Sequence, residues 1–181
     1  MKVAIVIGHN EKSQGAFCKY LGMYEYTYYV EVANKLKEKL GNMIDIYKRK
    51  PNTTYGAEMR EVLSRLNKIN YTYVLELHFN SLSNSKVQGV ECIAFHNSKV
   101  GLNLADRFNH LISTEIGIHN RGIIKVNQSG QRGAYGICKS KPPYILVEPF
   151  FGSNEKSQLF TVDRMVDLLV RFIIGDKDGT K

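Results

Sequence analysis

Short apolar, β-branched runs alternate along the chain with longer stretches whose apolar residues recur every three to four positions. Runs of the first kind read as buried strands, and stretches of the second as helices with one face on a core. The strand runs are Lys2–Gly8, Met43–Lys48, Thr72–His78, Gly89–His96, Ala134–Cys138 and Tyr144–Glu148. The helical stretches are Tyr24–Leu40, Gly56–Lys68, Lys99–Gly117 and Asn154–Ile174. In the first helix Tyr28, Tyr29, Val32, Leu36 and Leu40 form a core-facing stripe, and Gly41 supplies a left-handed C-cap. In the last, Ser153 or Asn154 caps the start, while Leu159, Val162, Val166, Leu169 and Ile173 share one face. The alternation predicts an α/β three-layer sandwich around a largely parallel sheet. No repeat, low-complexity tract or Pro/Gly/Ser-rich linker interrupts it, so residues 1–175 are expected to form one domain and 176–181 a flexible tail.

Composition changes this picture little. Hydrophobic residues make up 43% and charged residues 23% of the 181, as in an ordinary globular protein. No apolar run approaches the roughly 20 residues that span a bilayer, so stable membrane insertion is not expected. The start, MKVAIVIGHN, runs straight into Gly8-His9 without a small-residue cleavage site. It reads as a first strand and not as a signal peptide, which implies synthesis in the cytoplasm. The formal charge of +8 favours polyanions such as nucleic acid, anionic lipid or an anionic cell wall. No nucleic-acid-binding motif accompanies it, and no nucleic-acid partner is expected. Cys18, Cys92 and Cys138 are far apart and form no CxxC pair, which suits reduced thiols packed as small hydrophobes.

Three strand runs end in residues that chemistry uses: Val3–Ile7 leads into Gly8-His9, Tyr73–Leu77 into His78, and Tyr144–Val147 into Glu148. In open α/β sheets ligands bind outside the carboxyl ends of the strands, so two imidazoles and a carboxylate there converge on one crevice. Glu25 joins them by another route. It lies at the start of the first helix in register with Tyr28, Tyr29, Val32 and Leu36, and a carboxylate on a buried face needs a partner or a metal. Two His and one carboxylate form a catalytic zinc set with a position left for water. The reading is one zinc on His9, Glu25 and His78, with Glu148 as general base. Each residue alone has a plainer explanation: a hydrogen-bonded loop histidine, a helix-start carboxylate complementing the dipole, a salt-bridge partner at the sheet rim. Their joint placement carries the case. His96, His110 and His119 lack such placement and are read as structural or surface residues.

These segments resemble the zinc-dependent N-acetylmuramoyl-L-alanine amidases of cell-wall hydrolases and phage endolysins. Gly8-His9 with Gly15 is similar to the family's opening loop, and Glu25 with Val32-Ala33 and Leu36 to its second ligand and helix. Leu77-His78-Phe79-Asn80-Ser81 is similar to the third-ligand motif, and Leu146-Val147-Glu148 with Phe151 and Ser153-Asn154 to the catalytic-glutamate segment. The order is the family's, and the matches run from residue 8 to residue 154. Asn10-Glu11-Lys12 stand where many members have glycines, and Glu76 where a small residue is usual.

The resemblance implies a twisted mixed sheet of about six strands between helices. It also implies hydrolysis of the amide joining the lactyl group of N-acetylmuramic acid to L-alanine in peptidoglycan. Arg121, in an Asn120-Arg121-Gly122 turn, is a candidate to hold a stem-peptide carboxylate or the oxyanion. Asn80 either supports His78 or caps a turn. A compact basic chain of this kind looks like a monomeric phage endolysin that reaches the wall once the inner membrane is permeabilised. The alternatives are a zinc carboxypeptidase on wall peptides, a non-catalytic wall-binding module, and a cysteine amidase using Cys18 or Cys138.

Overall fold

The computed structural model describes residues 1–175; the tail expected at 176–181 lies outside the described residues. Strand β1 (Val3–Ile7) opens the chain, followed by a hairpin of β2 (Phe17–Cys18) and β3 (Met23–Tyr24) and by helix α1 (Glu25–Leu40). Next come β4 (Ile44–Tyr47), α2 (Tyr55–Leu66), β5 (Tyr73–Leu77), β6 (Val90–Phe95) and α3 (Lys99–Ile116). The chain finishes with β7 (Asn120–Val126), α4 (Ala134–Lys139), β8 (Tyr144–Glu148) and α5 (Val162–Ile174).

Six strands form one sheet in the order β4-β1-β5-β8-β6-β7. Every neighbouring pair is parallel except β6 with β8, which is antiparallel. Both faces are covered, which is why β1, β5 and β8 are apolar runs and not alternating ones. Val3, Ile5 and Ile7 pack with α1, α3 and α5; Ala4 and Val6 pack with α2 and α4. The result is the expected three-layer sandwich. Among the described residues, no helix is long and apolar enough to cross a membrane.

Four sequence expectations need correction. Ala134–Cys138 is helix α4 and not a strand. Its small residues serve close packing: a Cβ on Gly136 would stand 2.6 Å from the Tyr144 hydroxyl on β8. The sixth strand is β7, read from sequence as a turn around Asn120-Arg121-Gly122. It is an edge strand whose residues are mostly exposed or half-buried, so it lacks the apolar signature of its neighbours. The stretch Asn154–Ile174 is not one helix. Asn154 caps a 3-10 turn (Glu155–Leu159), Phe160 breaks the path, and Thr161 caps α5 by accepting from the Arg164 amide. Phe160 is fully buried and stacks 4.6 Å from Phe150, which draws the chain inward and leaves Leu159 46% exposed, outside the stripe. Gly41 does end α1 with positive φ, but its ψ of −126° lies outside the left-handed helical well.

Candidate functional site

The strand order places β1, β5 and β8 side by side, so His9, His78 and Glu148 leave the sheet at the same edge. They face a cavity of about 630 Å³ that also receives Glu25 from the first turn of α1. His9 has a φ of 62°, the one positive value at a non-glycine among the described residues, and Arg49 Nε donates to its carbonyl at 2.9 Å. Such backbone persists where the surroundings hold it and is typical of functional loops. A Cβ on Gly15 would stand 2.6 Å from the His9 ring and 2.7 Å from Glu25 Oε2, so only glycine lets this loop close over the pair.

Glu25 is 2% exposed and sits between the two imidazoles. Its Oε1 lies 2.8 Å from His78 Nδ1 and its Oε2 3.1 Å from His9 Nε2. The Phe79 amide donates to the same Oε1 at 3.0 Å. Burial pushes the Glu25 carboxyl up, but hydrogen bonds and charge from His78 and His9 outweigh this and hold it at about 2. His78 shows the mirror case. Burial pushes it down, yet Glu25 and Glu76 on its two nitrogens raise it to about 10.

Nitrogen and oxygen atoms of His9, Glu25 and His78 lie within 4.8 Å of one another. A carboxylate between two imidazoles is a donor set suited to a divalent transition ion, and the residues present fit one. Glu76, fully buried, strengthens the fit. Its Oε1 is 3.1 Å from His78 Nε2, and its Oε2 accepts from the Tyr144 hydroxyl at 2.8 Å. This occupies the outer nitrogen of His78 and leaves Nδ1 facing the site.

Across the cavity, Glu148 is 6% exposed. Arg132 Nη2 donates to both of its oxygens, at 2.6 and 2.7 Å, and Asn80 Nδ2 donates to Oε2 at 3.1 Å. Because β6 runs antiparallel to β8, Glu91 at the start of β6 lies directly opposite Glu148. Burial raises the Glu148 carboxyl; Arg132 pulls it down and Glu91 pushes it up, leaving it at about 7.

The structure thus brings His9, Glu25, His78 and Glu148 to one cavity. Asn80 lines it too, and its side-chain nitrogen bridges Glu148 and Glu91. Arg121 is not among the lining residues: its Nε donates to Glu91 at 2.7 Å and its guanidinium covers the Phe151 ring at 5.1 Å. Sequence reasoning missed Arg132, Glu91, Arg49 and Glu58. Glu58 had the same signal as Glu25, a carboxylate in register with Val62 and Leu66 on the buried face of α2. Asn10 Nδ2 donates to it at 2.8 Å. Arg132 carried no signal, since it lies in a polar loop. None of the cysteines lines the cavity; Cys18 and Cys92 are buried thiols, as expected, and Cys138 is half-buried. His96, His110 and His119 are exposed.

A carboxylate raised towards neutrality beside a cation-ready cluster, on the loop edge of an α/β sheet, is an arrangement suited to hydrolysis. A sequence profile of the N-acetylmuramoyl-L-alanine amidases matches residues 3–165. The chain belongs to that family and is an amidase acting on peptidoglycan. Among solved structures it is similar to the catalytic domain of the CD27L endolysin targeting Clostridia difficile, at 26% identity and a TM-score of 0.73, covering 96% of this chain and 97% of that one. It is also similar to the catalytic domain of the amidase CwlV from Bacillus (Paenibacillus) polymyxa var. colistinus, at 21% identity, TM-score 0.72, and 96% and 94% coverage. Cwp6 from Clostridium difficile aligns at 24% identity and TM-score 0.76 over 99% of this chain and 29% of its own. A search of curated proteins finds no match.

Proposed function

We propose that the chain is a zinc-dependent N-acetylmuramoyl-L-alanine amidase that works as a phage endolysin. It cleaves the amide between the lactyl group of N-acetylmuramic acid and L-alanine. The observation that carries this reading is the meeting of His9, Glu25 and His78 within 4.8 Å on the cavity that also holds Glu148. His9 Nε2, the Glu25 carboxylate and His78 Nδ1 would hold one zinc ion per chain. Zinc bound there supplies Lewis acidity towards the scissile carbonyl and towards water.

The remaining work falls to the chain's own side chains. Glu148 takes the proton of the attacking water and returns it to the leaving alanine nitrogen; a pKa of about 7 suits both halves of that transfer. Asn80 fixes one Glu148 oxygen, and Arg121 neutralises the neighbouring Glu91. Glu76 sets the orientation of His78. In this reading residues 1–175 act as one catalytic domain, monomeric, on the wall of a host whose inner membrane has been permeabilised. The similarity to an endolysin catalytic domain supports the lytic role.

Metal analysis and mass spectrometry of digested peptidoglycan test the proposal together. Stem peptides should appear with free L-alanine amino groups, and chelator-stripped protein should fail to release them. Released terminal amino acids would identify a carboxypeptidase instead. Undiminished digestion by fully stripped protein would remove zinc from the reaction.

A further inference from the structure

Two guanidinium groups line the catalytic cavity, and protein carboxylates hold both. Arg49 is locked in place: its side chain is 5% exposed, donates to the His9 carbonyl and lies 3.6 Å from Glu58. Arg132 is placed differently. It rises from the loop between β7 and α4, its side chain is 58% exposed, and it reaches in to Glu148 at 2.6 Å and Glu91 at 3.7 Å.

This pairing conflicts with the work assigned to Glu148. Arg132 takes both carboxylate oxygens, and Asn80 shares one of them. Those three bonds fill most of the roughly four acceptor positions of the carboxylate, leaving little room for an attacking water to donate to it. Releasing the base requires that Arg132 move. Here a single guanidinium nitrogen serves both Glu148 oxygens; a guanidinium leaving one carboxylate is best satisfied by another, through a forked pair of hydrogen bonds that uses two of its nitrogens.

We propose that Arg132 changes partner when substrate binds, from Glu148 to a carboxylate of the stem peptide, and thereby selects stem peptides whose second residue keeps an ionised α-carboxylate. This rests on the amidase reading above. In peptidoglycan the cleaved amide leads into L-alanine and then into D-glutamate or its amide, D-isoglutamine. Two extended residues span roughly 7 Å, within the sweep of a long side chain rooted at the cavity wall. Arg132 is the lining cation with the exposure to make the exchange. One motion would both hold the correct stem and free the base.

A pair of synthetic muramyl peptides, identical but for carboxylate or carboxamide at that position, tests this with zinc-loaded protein. The wild type should favour the acidic peptide in kcat/KM by roughly 10- to 100-fold, the size of a hydrogen bond to a charged group. Arg132→Ala should bring that ratio close to unity. Arg132→Lys, which keeps the charge and loses the fork, should fall between. Both variants should retain stoichiometric zinc and melt near the wild type, since the side chain is exposed. A wild type indifferent to the group, or an Arg132→Ala variant that keeps the preference, overturns the proposal and leaves the amidase reading intact. If the wild type cleaves neither peptide, the amidase reading itself fails and the proposal falls with it.

Discussion

Each carboxylate at this site does a different job because its neighbours differ. Glu25 lies between two imidazoles and stays ionised; Glu148 lies beside Glu91 and is poised near neutrality. Glu148→Gln should therefore keep its metal and lose at least about 100-fold in kcat, the usual share of general base catalysis; metal analysis beside turnover on wall fragments checks both parts. For the wild type, kcat/KM should rise with pH through about 7, since the base must be ionised. A flat profile between pH 5 and 8 would exclude that role. His78→Ala should lose zinc as well as activity, and stoichiometric tight zinc in that variant would contradict its assignment. Glu76→Ala leaves His78 without its outer partner, so zinc affinity should fall roughly 10- to 100-fold, measurable by chelator competition. The resemblance marked Glu76 as a departure, and the structure gives it a function: a buried acceptor for His78 and for Tyr144.

At the scale of elements, strand direction decides who meets whom. Parallel β1, β5 and β8 deliver their terminal residues to one edge, an outcome visible in the sequence as three apolar runs with chemistry at their ends. The antiparallel entry of β6 brings residues from strand starts to that same edge, and so Glu91 arrives beside Glu148 and Arg121, from the parallel neighbour β7, beside Glu91. No local pattern announces that reversal. Helix α4 was misread because Ala134, Ile137 and Cys138 suit a strand as well as a helix, and its packing on Tyr144 is invisible locally. Gly136→Leu should displace Tyr144, which holds Glu76, and cost about 1–3 kcal/mol as overpacking does. The melting temperature should drop by roughly 2–4 °C per kcal/mol for a chain this size. An unchanged melting point would show that α4 can back away from β8.

For the whole molecule, the site is also part of the stability. In metal-free protein Glu25 is lowered from 4.5 to about 2, so its contribution is present above pH 4.5 and disappears as pH falls towards 2. His78 is raised from 6.5 to about 10, so its contribution is present below pH 6.5 and disappears as pH rises towards 10. The apo protein should accordingly show its highest denaturation midpoint between these limits. A midpoint that climbs steadily from pH 6.5 to 9 would contradict the pairing.

The linear pattern of residues by itself determined the sandwich class, the helices α1, α2 and α3, and the rim position of His9, His78 and Glu148, because apolar periodicity and strand ends are local properties. Glu25 was legible for the same reason: a charge in register with a buried stripe needs a partner. Only the tertiary structure decided that Arg132 pairs with Glu148, that Glu91 stands opposite Glu148 and that Arg121 is spent on Glu91. Those pairings join segments far apart in the chain, and charge attraction across a cavity depends on distance, which no spacing along the sequence encodes.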